Sequence, residues 1–99
     1  MKLKYDFAIA EFGEKRVVVF TGEGMNFFRG YIKTDRIGAS IFEMLREDIS
    51  EEKLVEQMTV MYPEEERKNV DAAVKAFVRK LTAAGIIRIK AGEKNDSRI

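Results

Sequence analysis

The 99-residue chain contains no cysteine and no histidine. Without cysteine there is no disulfide staple and no thiolate to hold a metal, a composition that suits a reducing compartment, so the cytoplasm is the expected location. Without either residue the commonest general base, the commonest metal ligand and the strongest natural nucleophile are all missing. The chain is therefore read as not an enzyme in its own right, with no cofactor and no metal. No apolar run approaches the ~20 residues a membrane span needs. The start, Met1-Lys2-Leu3-Lys4-Tyr5-Asp6, has no apolar stretch long enough for a signal peptide. No membrane partner is expected. A net charge of only +1 is too small for the chain as a whole to attract nucleic acid.

Apolar residues make up 45% of the chain, with seven Phe and three Tyr, and charged residues 35%, enough for one core beneath a soluble surface. Charge is unevenly spread: residues 1–34 carry +2, residues 35–62 carry −4 and residues 63–99 carry +3. The middle is acidic and the last third basic.

Alternation at Tyr5, Phe7 and Ile9 predicts a first strand from Tyr5 to Phe12, turned at Gly13-Glu14-Lys15. Val17 to Phe20 predicts a second, bounded by Thr21-Gly22-Glu23-Gly24, and the apolar run from Met25 to Ile32 a third, which makes an antiparallel meander. Asp35 is placed to cap a first helix with Ile37, Ile41, Phe42 and Leu45 on one face. Ser50 caps a second, with Glu51 and Glu52 in its first turn and Leu54, Val55, Met58, Met61 and Tyr62 inward; Lys53 leaves its capping box incomplete. Pro63 and Glu64-Glu65-Glu66 suit the first turn of a third, with Val70, Ala73, Val74, Phe77, Leu81 and Ala84 as its apolar stripe and Gly85 as its stop. Ile86 to Ile89 either adds a short strand or covers the core. The expected fold is α+β and winged-helix-like, a three-stranded antiparallel sheet followed by three helices, in one domain over residues 1–90 with a flexible tail at 91–99.

The carboxylate groups Glu51/Glu52 and Glu64/Glu65/Glu66 sit where a helix start favours negative charge, and are read as such rather than as acid/base or Mg²⁺ clusters. Gly22-Glu23-Gly24 lacks the Lys-Ser/Thr and the following helix of a phosphate loop and reads as a hairpin turn. Met58 and Met61 read as core rather than as an adaptable groove.

Two features remain. The segment Asn26 to Lys33 should end the meander at a sheet edge, with Phe27, Phe28, Tyr31 and Ile32 broken only by Arg29, Gly30 and Lys33 and no proline to blunt it. The alternative is an edge covered by the chain's own helix or tail. The flank of the third helix carries Lys68, Asp71, Lys75, Arg79 and Thr82 at three- and four-residue spacing, with Val78 at the border of the stripe; the alternative is a plain solvated face. Edge and flank together would form a groove for an extended, partly acidic peptide.

Thr34-Asp35-Arg36-Ile37-Gly38-Ala39-Ser40-Ile41-Phe42-Glu43-Met44-Leu45 resembles the Leu-Asn-x-Thr-Gly-x-x-Ile-Trp-x-Leu-Leu segment of the PqqD-like family, named for a pyrroloquinoline quinone (PQQ) biosynthesis protein. Ile49 to Val55 and Phe77 to Ile87 are similar to further family segments, and the resemblance spans about residues 7 to 88. The chain departs from the pattern at Thr34-Asp35, at Ile37 where Thr is usual, and at Phe42 where Trp is usual. The resemblance implies a recognition element, or peptide chaperone, that binds the leader of a ribosomally made precursor peptide and delivers it to a modifying enzyme, of the radical S-adenosylmethionine type. It also implies that the leader pairs with the third strand and lies against the third helix. The expected peptide-binding residues are then Phe28, Arg29, Gly30 and Tyr31 on the strand and Asp71, Lys75, Val78, Arg79 and Thr82 on the helix, with Gly30 allowing close backbone approach or marking a bulge. Two rivals stay open. One is a winged-helix DNA-binding protein, opposed by Glu64-Glu65-Glu66 where base contacts would be made. The other is an accessory or oligomerisation subunit whose sheet edge pairs with a second copy.

Overall fold

The tightest local instruction is Gly13-Glu14. Gly13 takes φ 65° between Phe12 and Lys15, a two-residue turn with glycine at its first position, which matches the twist of the strands it joins. It closes β2 (Phe7–Phe12) onto β3 (Lys15–Phe20), in register from Phe7↔Phe20 to Phe12↔Lys15. In this computed structural model residues 1–27 and 30–88 are described, apart from the side chain of Phe27. The remaining elements in chain order are β1 (Lys2–Leu3) before the hairpin, then α1 (Gly24–Phe27), β4 (Ile32–Thr34), α2 (Arg36–Met44), α3 (Glu51–Met61), α4 (Arg67–Ala83) and β5 (Ile87–Arg88). The larger sheet runs β2-β3-β4, all antiparallel, and β1 pairs with β5 in a separate ribbon.

The third strand is shorter than its composition suggested. Among the described residues, 24–27, 30 and 31 do not extend the sheet: the chain coils at Gly24–Phe27, with Gly24 N–H bonded to the Thr21 carbonyl and Met25 N–H to that of Gly22, and β4 runs from Ile32. Gly24 permits this because its backbone lies against Tyr5 and Phe20, where an added Cβ would come within 2.8 and 2.9 Å of their Cβ atoms. The apolar run misled because it lacked period-2 alternation; Met25 and Tyr31 point to solvent.

Helix starts follow the sequence closely at two places. The Asp35 carboxylate accepts from Gly38 N–H at 2.9 Å and the Ser50 hydroxyl from Lys53 N–H at 3.1 Å. The third start does not. Pro63 and Glu64–Glu66 lie in a turn before α4, and Glu66 takes the cap position without a side-chain cap bond. At its other end Gly85 (φ 80°) bonds back to the Thr82 carbonyl and Ile86 to that of Leu81, the paired bonds of a left-handed helix stop.

The core joins one sheet face to three helices: Phe7, Val18 and Phe20 meet Ile41, Phe42 and Leu45 of α2, Leu54, Val55 and Met58 of α3, and Val70, Val74, Val78 and Leu81 of α4. Phe42 is wholly buried between Phe7 and Phe77, edge-on to each at 5.6 and 5.7 Å. Met61, expected inward, is exposed, while Tyr62 is buried with its hydroxyl 2.9 Å from that of Ser40. The buried line 70/74/78/81 turns α4 so that Ala73 and Ala84 leave the core and Val78 enters it. Met1 and Leu3 are buried as well: Leu3 N–H bonds the Leu45 carbonyl, and β1 gives Ile87 its strand partner. No helix among the described residues is long and apolar enough to cross a membrane.

Candidate functional site

The edge of β4 is set by hydrogen-bond parity. Thr21 donates its N–H to the Asp6 carbonyl at 2.9 Å, so the odd residues of β3 turn their main-chain groups toward β2 and the even ones toward β4. Val18 and Arg16 therefore bond Ile32 and Thr34, their register partners, and Lys33, opposite Val17, turns its N–H and C=O to the outside. No strand among the described residues takes up that edge.

Beside it lies a cleft of about 500 Å³. Lys15 of β3 and Lys33 and Thr34 of β4 line one side, Asp35, Ile37, Gly38 and Ile41 the start of α2, and Ala73 and Phe77 the facing flank of α4. The floor depends on Gly38. An added Cβ there would collide with Thr34 Oγ1 and stand 3.1 Å from Thr34 Cβ and 3.3 Å from Phe77 Cε1. Only glycine lets the first turn of α2 seat on the strand that precedes it. Ile37 and Ala73 also border a smaller apolar recess of about 90 Å³ formed with Met58, Tyr62 and Val74. Lys15 and Lys33 are exposed at the cleft's mouth, and neither makes an ion pair among the described residues. The basic side chain is thus offered to whatever enters.

The residues expected from sequence are distributed differently. Phe28 and Arg29 lie outside the described residues. Gly30 forms an exposed bend at φ 112°, with nothing within 4 Å of where a Cβ would stand, so glycine there answers a backbone need rather than a crowded one. Tyr31 is 58% exposed just before β4. On α4, Val78, expected at the border of the binding flank, is 7% exposed and packs in the core. Asp71 and Lys75 pair with each other at 3.3 Å, and Arg79 and Thr82 are exposed. At 100° per residue, Asp71, Lys75, Arg79 and Thr82 lie across the buried stripe from Ala73 and Phe77, so the structure does not bring them to the cleft beside β4. The sequence reading passed over Lys15, Ile37, Gly38, Ala73 and Phe77 as turn, cap or core. The usable signal was Thr34-Asp35-x-x-Gly38, a capped helix start carrying a glycine that the cap itself does not need.

No curated protein matches this chain. Among solved structures the fold is similar to that of TbiB1 in complex with the TbiA(beta) leader peptide, with a TM-score of 0.63, 21% identity, and 96% of this chain and 100% of that chain covered. At that identity the likeness establishes the fold. The model of the family described as coenzyme PQQ synthesis protein D (PqqD) matches residues 16–87, from β3 through β5, and the chain belongs to that family.

Proposed function

We propose that this protein is a recognition element for a ribosomally made precursor peptide: it binds an extended segment of the leader along the free edge of β4 and presents the rest to a separate modifying enzyme in the cytoplasm. The observation that carries this reading is the juxtaposition of outward main-chain groups at Lys33 with a preformed cleft. Main-chain pairing supplies affinity and alternate peptide side chains enter the cleft. Membership of the PqqD family supports it, as does the fold shared with TbiB1, which was solved with a leader peptide bound. The strand side of the site is Gly30, Tyr31 and Lys33; Phe28 and Arg29, expected there from the sequence, lie outside the described residues. The helix side is Ala73 and Phe77. A modifying enzyme of the radical S-adenosylmethionine type, suggested by membership of the PqqD family, is the partner proposed for the chemistry.

Isothermal titration against a ribosomally made precursor peptide, whole, as its isolated leader and with the leader removed, tests the reading. Binding should survive in the isolated leader and vanish in the leaderless peptide. Equal binding of the leaderless form would overturn it.

A further inference from the structure

The cleft differs chemically from one face of β4 to the other, and that difference prescribes a side-chain pattern for the bound strand. Ile32 and Thr34 share the inward face with Val18 and Arg16, whereas Lys33 shares the outward face with Val17. Whichever way an added strand runs, the residue opposite Lys33 shares the outward face and its two neighbours turn inward. The inward pair meets Ile37, Ile41, Ala73 and Phe77. The outward residue meets Lys33 directly, and Lys15, diagonal to Lys33 on the same face of β3, adds its positive charge one strand further in. Neither ammonium group makes an ion pair among the described residues, and the Asp35 carboxylate in the cleft lining is taken up by Gly38 N–H.

We propose that the segment this site selects carries an apolar, acidic, apolar alternation, with the carboxylate beside Lys33, in the positive field that Lys15 reinforces, and the two apolar side chains in the cleft. This rests on the strand-addition reading and sharpens it: specificity comes from the phase of the alternation as much as from composition. A peptide of opposite phase places carboxylates over Ile37 and Phe77, where they lose water and gain no partner, although it carries more negative charge.

Fluorescein-labelled synthetic 12-residue peptides in a Ser/Thr host provide the probe, one with a central Leu-Glu-Leu, one with Glu-Leu-Glu and one with Leu-Lys-Leu. Anisotropy gives affinity, and ¹⁵N spectra of the full chain report where each peptide sits. Leu-Glu-Leu should bind at least threefold more tightly than either other peptide and shift the Tyr31, Lys33, Ala73 and Phe77 amides. In the Lys15→Glu/Lys33→Glu variant, whose substitutions are exposed, the preference should invert toward Leu-Lys-Leu. Equal binding of both phases at those amides overturns the pattern and leaves strand addition standing. Failure of every peptide to shift the Tyr31 and Lys33 amides overturns both.

Discussion

Replacing Gly38 with alanine isolates the contact on which the cleft floor is built. Alanine in a helix gains up to about 1 kcal/mol over glycine from its smaller backbone entropy cost. Against this stands the overlap of the new methyl with Thr34 Oγ1, with Thr34 Cβ at 3.1 Å and Phe77 Cε1 at 3.3 Å behind it. Rotating Thr34 away is costly, because a β-branched side chain has few rotamers to offer. Overpacking of this kind typically costs about 1–3 kcal/mol, and the collision with Thr34 Oγ1 puts this site in the upper part of that range, about 2–3 kcal/mol, so the net loss should be about 1–2 kcal/mol. For a domain of this size each kcal/mol lowers Tm by about 4–8 °C. Thermal and urea unfolding followed by circular dichroism measure both quantities. Thr34→Ala removes Oγ1, so the Thr34→Ala/Gly38→Ala double variant should recover at least half of the loss, giving a clear non-additive coupling. A Gly38→Ala protein as stable as the parent, or additive losses in the double variant, would refute the close seating of α2 on β4.

Phe42→Ala should cost about 3–5 kcal/mol, since the ring is fully buried and edge-on to two others; a loss below about 2 kcal/mol in urea titration would mean that the core collapses around the hole. Tyr62→Phe should cost about 1 kcal/mol by leaving the Ser40 hydroxyl with one bond fewer, and Ser40→Ala made together with it should add little more. Lys75→Glu with Arg79→Glu should leave leader affinity within twofold at low salt, because that flank lies across the buried stripe from the cleft. A tenfold loss by anisotropy would place the helix side of the site there instead.

Local chemistry was legible where a single residue decides it. Asp35 and Ser50 cap the helices they were expected to cap, Gly85 stops the last one, and the 2.0-residue period at Phe7 and Ile9 marked a true strand. Three readings failed for want of tertiary information. The run from Met25 to Ile32 had β-forming composition, but with Gly24 packed against Tyr5 and Phe20 the chain coils through Phe27, which sequence pattern cannot register. Pro63 and the three glutamates looked like a helix start and form the turn before it. The small rotation of α4 about its axis, fixed by Val78 entering the core, decided which flank faces β4, and an apolar stripe of ordinary width leaves that angle open. The candidate site was thus legible as a strand beside the last long helix, but not to the side chain.

Strand addition at β4 is tested most directly by amide hydrogen exchange, residue by residue, with and without saturating leader peptide. In the free protein Ile32 and Thr34 face β3 in the ladder, while the Lys33 N–H has no acceptor among the described residues and should exchange fast. Bound leader should slow Lys33 at least tenfold, toward the protection of its two neighbours, and change it more than either of them. A Lys33 amide that still exchanges at its free rate while the leader is demonstrably bound would contradict main-chain pairing at this edge.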